Sequence, residues 1–135
     1  MAGTLVLDTI RASSGVFATQ NGMTGIAKAW VNFNGITTTT IRSSFNVSSV
    51  TFVATGRYTV NFTTAMSDAN YFVGGSATSD AGFSGASSTG VLSEYKSAGT
   101  TYGTKTTGAI QVCTIDNGGD TFYSSFSTNV AIFGN

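Results

Sequence analysis

Short stretches in which apolar and polar residues alternate restrict the fold of this chain more than any other feature. In residues 58–63, Tyr58, Val60 and Phe62 occupy one parity, and threonine or asparagine occupies the other. Residues 27–33 alternate in the same way. A period of two is that of a half-buried strand, whereas a helical spacing of apolar residues recurs over no run of about 10–12 residues. The sequence therefore predicts a β-protein.

Eight such stretches are separated by clusters of Gly, Asn, Ser or Thr, and the chain has no proline. The predicted strands are residues 4–10, 26–33, 39–53, 57–63, 71–76, 90–94, 109–115 and 129–133. This number and spacing predict an all-β fold, an antiparallel β-sandwich or a jelly-roll-like barrel of about eight short strands. We expect one β-sandwich domain over residues 26–135. Residues 1–25 would form a short N-terminal arm or docking segment, or equally a connector with a first strand of the sandwich.

The apolar positions of these strands are candidates for the core or for a subunit interface. They are Trp30, Val31, Phe33, Tyr58, Val60, Phe62, Val130 and Ile132. The last strand is apolar on both parities, which is typical of a strand in the middle of a core or against another chain. Six phenylalanines in or beside the predicted strands are also expected in the core, namely Phe33, Phe45, Phe52, Phe62, Phe72 and Phe133. Trp30, the only tryptophan, could stack on a sugar, but its mid-strand position favours core or interface. The single cysteine, Cys113, excludes an internal disulfide and is expected to be a buried thiol.

Charge is scarce along the whole chain. Charged residues make up 9%, and six basic side chains balance six acidic ones, against about 25% charged residues in an ordinary globular chain. A neutral surface exerts no long-range attraction on nucleic-acid phosphates or anionic lipids. The N-terminus has no basic segment of the signal-peptide kind, and no apolar run approaches the ~18 residues of a membrane span. We therefore expect no nucleic-acid partner and no membrane insertion.

Histidine is absent, which removes the commonest general base and the commonest metal ligand. The six carboxylates fall in no catalytic motif, so we expect no enzyme activity, no cofactor and no metal site. Residues 116–120 combine acidic residues, asparagine and glycine as a calcium loop does, but they lack the spacing of an EF-hand. Asn-Gly and Gly-Asp are ordinary hairpin-turn dipeptides, and we predict a turn there.

Two segments are too long and too poorly patterned to be simple connectors, residues 76–108 and 116–123. Loops of this length in a small domain are usually functional or disordered. The segments contain scattered aromatic side chains, which are amphipathic and suited to ligand contact. The predicted ligand-binding residues are Phe83, Tyr95, Tyr102 and Tyr123.

Residues 25–71 resemble a module found at the C-terminal ends of tail fibres of marine and other environmental phages and prophages. The resemblance rests on Gly-Ile-Ala-Lys-Ala-Trp-Val-Asn-Phe at 25–33, on Ile-Arg-Ser-Ser-Phe-Asn-Val-Ser-Ser-Val at 41–50 and on residues 58–71. The closing residues 130–135 are similar as well, so that about half the chain is covered. Ser67 stands where the family tends to have proline, and residues 52–56 stand where it tends to have an Asp-Asn-Gly turn.

This resemblance implies a structural virion protein, located on the tail or the particle surface. It would be a homotrimeric tail-fibre or fibre-tip subunit that contacts a host-surface glycan or protein without catalysis, and residues 1–25 would bind other virion proteins. The alternatives are a capsid decoration protein, which stabilises the shell, and a free carbohydrate-binding module.

Overall fold

The computed structural model describes residues 26–36, 38–78, 89–94, 105–115 and 122–134. These residues form eight strands: β1 (Ala29–Asn34), β2 (Thr40–Phe45), β3 (Val47–Ala54), β4 (Arg57–Phe62), β5 (Phe72–Thr78), β6 (Thr89–Glu94), β7 (Ala109–Ile115) and β8 (Ser127–Phe133). All strand pairs are antiparallel. The predicted all-β antiparallel sandwich is thereby confirmed. The predicted strand 4–10 and the proposed arm 1–25 lie outside the described residues.

The strands follow the order β2-β1-β8-β5-β6-β7-β4-β3. We call β2-β1-β8-β5 the front sheet and β6-β7-β4-β3 the back sheet; the two pack face to face. They are joined where β5 pairs with β6, at Ala77 with Gly90 and at Thr78 with Thr89. In the described part of the chain, no helix is long and apolar enough to cross a membrane.

The predicted strand 39–53 is two strands, because the chain turns from the front to the back sheet at Asn46. The φ angle of Asn46 is 54°, in the left-handed region that asparagine tolerates better than most residues. Its Nδ2 donates hydrogen bonds to the carbonyls of Lys28 (3.0 Å) and Thr64 (3.1 Å), and its Oδ1 accepts one from the Thr64 N–H (2.8 Å). Asn46 is therefore a corner residue held from both sheets.

The core lies between the two sheets and is made by alternate residues of their inner faces. Across it, the rings of Phe33 and Tyr58 meet edge to face with centroids 5.0 Å apart. Seven of the eight core or interface candidates belong to this buried cluster: Val31, Phe33, Tyr58, Val60, Phe62, Val130 and Ile132. Cys113 is also buried, as expected.

Trp30, which was expected in the core or at a subunit interface, is not a core residue. Its side chain is 39% exposed, because β1 turns its neighbours Ala29 and Val31 inward and strand alternation then places Trp30 on the outer face. Whether a subunit interface covers it stays a prediction. Phe45 is also absent from the core, and it lies beside Trp30 on β2.

Three further phenylalanines expected in the core are exposed, namely Phe52, Phe72 and Phe133. Phe72 and Phe133 lie on the outer parity of β5 and β8. Phe52 lies on β3, which ends the strand order and has only β4 as a neighbour. Among these six phenylalanines, only Phe33 and Phe62 are core residues.

Candidate functional site: an aromatic groove on the front sheet

One row of outward-facing residues crosses the front sheet and contains its only tryptophan. Trp30 of β1 pairs in register with Ala131 of β8, and Ala131 pairs with Gly74 of β5. Phe45 of β2 extends the row on the other side of Trp30. Since Ala131 and Gly74 have almost no side chain, they form a low floor beside the indole ring.

The next row is polar and is made of Asn32, Asn129 and Ser76, which are register partners across the same three strands. Asn32 Nδ2 donates to Asn129 Oδ1 at 2.7 Å and to Ser127 Oγ at 2.9 Å. Asn129 Nδ2 donates in turn to Ser76 Oγ at 3.3 Å. The two amides are thus held in fixed orientations next to the aromatic row.

On the opposite side of the floor lie Phe72 and Phe133, which are also register partners. Their ring centroids are 6.4 Å apart, and Phe72 is 64% exposed. A Cβ atom built on Gly74 would lie only 2.8 Å from Cε1 of Phe72. The Phe72 ring therefore lies against the backbone of Gly74, a close approach that glycine allows.

These rows enclose a shallow groove of about 320 Å³, which we call the Trp30 groove. It is lined by Trp30, Val31, Asn32, Gly74, Gly75, Ser76, Asn129, Val130, Ala131 and Phe133. None of these residues is charged. The groove therefore offers apolar ring faces and an amide and hydroxyl row, but no ion pair and no titratable group.

Of the four residues predicted to bind a ligand, only Tyr123 lies in the described part of the chain, and it does not line this groove. Phe83, Tyr95 and Tyr102 lie outside the described residues, and so does the predicted turn at 116–120. Tyr123 is half-buried beside the back sheet, where its N–H donates to the carbonyl of Thr114 at 3.0 Å.

The sequence reasoning missed the groove, although one signal for it was present. Alternation in residues 27–33 already assigns Trp30 and Asn32 to the parity opposite the apolar one. Because successive side chains of a strand face opposite sides of a sheet, this parity predicts an exposed tryptophan next to an asparagine on the outer face. What the sequence lacked was the pairing of β1 with β8 and of β8 with β5.

Among the described residues, no group of three or more His, Cys, Asp or Glu side chains is placed to hold a metal ion. A second cavity of about 380 Å³ opens beside β3 and is lined by Ile36, Thr38, Thr39 and Phe52. It has one aromatic side chain and no ordered polar row, so the Trp30 groove is the better candidate.

Comparison with protein-family models, with curated proteins and with solved structures finds no match to this chain. Within the described residues, the Trp30 groove is the feature from which a function can be proposed.

Proposed function

We propose that this chain is a structural virion protein, a tail-fibre or fibre-tip subunit that contacts the host surface without catalysis. The observation that carries the proposal is the Trp30 groove. Trp30, Phe72 and Phe133 lie exposed together on one sheet face, and contiguous exposed apolar patches of this kind usually mark interaction sites.

The construction of the site also supports a role in recognition. The groove is formed on paired strands, and side chains on strands are held more precisely than those on loops. A site that is already ordered loses less conformational entropy when it binds. The tail-fibre resemblance at 25–33 and 130–135 falls on β1 and β8, the two strands that carry Trp30 and Asn129.

In this proposal the chain assembles as a homotrimer and docks to other virion proteins through residues 1–25. Each groove alone would bind weakly, because it is shallow and uncharged. Three copies per fibre and several fibres per particle would raise the overall affinity through effective concentration, with no new contact.

The alternative is a capsid decoration protein, and the same groove favours it in one respect. A decoration subunit needs an apolar face to hold the shell, and the exposed aromatics of the front sheet would provide that face. The two proposed functions then differ in the surface that the groove contacts, which is the host in one and the capsid in the other.

Immunogold labelling tests the proposal. An antibody raised against the purified chain is applied to particles from the source of the sequence and viewed by negative stain. Antibody absorbed with the purified chain serves as the control. Gold at tail ends is the expected result, gold over the head would support the decoration protein, and unlabelled particles would refute both.

A further inference from the structure

We infer that the Trp30 groove binds a neutral saccharide, with one sugar ring stacked on the indole of Trp30. This inference rests on the proposed function, since it names the chemical class of the host-surface ligand. It also moves the binding site from the loops, where the sequence placed it, to the outer face of the front sheet.

The aromatic side of the groove suits the apolar face of a sugar. Trp30 presents part of its ring to solvent, and the floor at Ala131 and Gly74 leaves room beside it for a flat ring. The C–H groups of a pyranose carry small positive charge, and the face of an aromatic ring carries negative charge. A sugar lying on the floor would therefore be attracted to Trp30 as well as desolvated by it.

The polar row supplies both kinds of hydrogen-bonding group that sugar hydroxyls need. Asn32 donates both of its Nδ2 protons within the sheet, to Asn129 and Ser127, so its Oδ1 remains an acceptor. Asn129 uses one Nδ2 proton on Ser76 and retains the other. Ser76 Oγ accepts that bond and keeps its own proton to donate.

The absence of charge in the lining selects among ligand classes. A nucleic acid would stack its bases on Trp30, but its phosphates need lysine or arginine beside the aromatic ring. An anionic membrane surface calls for the same basic side chains. Among the residues that line the groove there is none, and a neutral ligand follows.

The size of the groove favours a saccharide over a second copy of the chain as its ligand. About 320 Å³ lies at the small end of the roughly 300–1,000 Å³ range of small-molecule sites. A stable protein interface buries about 800 Å² on each partner, with an apolar centre. Here the polar row of Asn32, Asn129 and Ser76 directly borders the aromatic row, so the face lacks the broad apolar centre of such an interface.

The back sheet provides a matched control within the same molecule. Asn61 Nδ2 on β4 donates to Ser49 Oγ at 3.0 Å and to Thr51 Oγ1 at 3.2 Å, in a polar row like that of the front sheet. The outward partners of this row are small or polar. Asn61→Ala therefore removes a comparable amide from a face that has no exposed tryptophan.

The first measurement uses Trp30 itself as the reporter, because it is the only tryptophan of the chain. The protein is titrated with glucose, galactose, mannose and N-acetylglucosamine, and with short oligomers of each, while Trp fluorescence is recorded. At least one of these neutral sugars should change the emission in a saturable way. Sialic acid, which is anionic, should not.

Calorimetric titration of variants with the best sugar then locates the site. Trp30→Ala should weaken binding at least tenfold, and Asn129→Ala several-fold. Ala131→Leu should also abolish binding, because its side chain fills the floor of the groove while Trp30 and the buried core stay in place. Asn61→Ala should bind as the unaltered protein does.

Two results would overturn the inference. One is the lack of any emission change with every neutral sugar. The other is a bound sugar whose affinity survives both Trp30→Ala and Ala131→Leu. A Trp emission that changes with protein concentration alone, together with a sedimentation mass that falls in Trp30→Ala, would assign the groove to a second copy and also reject the saccharide.

This experiment and the immunogold test fail independently. Labelled tail ends with a chain that binds no sugar would reject the saccharide and leave the virion role in place. A chain that binds sugar at Trp30 but is missing from particles would reject the virion role and leave the saccharide site in place.

Discussion

At the scale of single residues, Tyr58 shows how a polar hydroxyl is accommodated in the core by a hydrogen bond. Its ring packs edge to face on Phe33, and its hydroxyl donates to the carbonyl of Gly35 at 3.0 Å. Burial raises the pKa of Tyr58 above its usual value, and hydrogen bonds with Ser124 and Ser125 offset only part of this effect.

The raised pKa predicts how stability changes with pH. The neutral phenol is the form that the folded protein prefers, so the contribution of Tyr58 is complete below the unfolded pKa of about 10. It is lost as pH rises through the higher folded pKa. Tyr58→Phe should lower the free energy of unfolding at neutral pH by about 1–2 kcal/mol, because the Gly35 carbonyl loses its partner. It should also reduce the loss of stability above pH ~10.

Urea denaturation in steps from neutral to alkaline pH measures both effects. If Tyr58→Phe and the unaltered protein lost equal stability at alkaline pH, the raised pKa of the buried Tyr58 would not be the cause of that loss. A second variant checks the packing at the same place, since a Cβ at residue 35 would lie 2.6 Å from Tyr58 Cζ. Gly35→Ala should therefore destabilise the protein while leaving its alkaline loss in place.

The exposure of Trp30 gives the second prediction. A buried aromatic residue truncated to alanine costs about 3–5 kcal/mol, and Phe33→Ala should cost that much. Trp30→Ala should cost less, about 2 kcal/mol, because 39% of the side chain is already in water. Chemical denaturation of the two variants compares them. Equal losses would show that Trp30 is buried in solution, against another copy of the chain.

Residue identity alone predicted burial well only for the inner parity of the central strands. Val31, Phe33, Val130 and Ile132 are buried because both neighbouring strands and the opposite sheet cover them. Phe72 is as apolar as Phe33 but lies on the outer face. The sequence shows that a side chain is hydrophobic, and the fold decides whether a second layer covers it.

At the scale of strands, six of the predicted stretches each match one strand, whereas the seventh, 39–53, covers two because alternation could not show the corner at Asn46. Residues on both sides of Asn46 continue the strand pattern. The bonds that stabilise its left-handed conformation go to Lys28 and Thr64, each 18 positions away. A turn held by distant partners leaves no local pattern beyond the asparagine itself.

The third prediction separates the two roles of Asn46. Asn46→Ala should cost about 2–4 kcal/mol, because it loses the side-chain hydrogen bonds and because alanine tolerates the left-handed region less well than asparagine does. Asn46→Gly loses the same bonds but adopts the positive φ freely, so its cost should be smaller. Denaturation midpoints give the order. Equal costs for both variants would show that the backbone angle contributes nothing.

The groove could not be predicted from the local alternation of residues either. Trp30 and Ala131 are adjacent only because β1 pairs with β8, and these strands lie at opposite ends of the described chain. Pairing between distant segments is set by topology, which short-range alternation does not specify. The sequence could assign Trp30 and Asn32 to one parity, but not the floor and the rings that complete the site.

At the scale of the whole molecule, the strand order ends at β2 and β3, each of which has one strand neighbour among the described residues. Edge strands present unpaired backbone groups that another chain can use. Together with the scarcity of charge, these edges agree with the homotrimer of the proposed function, and we predict that assembly.

The fourth prediction is that sedimentation at micromolar concentration gives the mass of three chains. Trp30→Ala should leave that mass unchanged, because the groove is proposed to bind sugar and not a neighbouring subunit. A mass of one chain for the unaltered protein would refute the trimer. A mass that falls only in Trp30→Ala would place the interface on the groove.

The adjacency of β1 and β8 has a mechanical consequence. Ala29 pairs with Ile132, so the start of β1 and the finish of β8 lie side by side at one end of the front sheet. Tension applied between these two points would open the pairs one after another, from Ala29–Ile132 inward, and each step would break few bonds. Tension between the start of β1 and a ligand held in the Trp30 groove would load other hydrogen bonds. It would not separate β1 from β8 starting at the Ala29–Ile132 pair. A domain built in this way would resist a load applied through the groove better than a load applied between the start of β1 and the finish of β8.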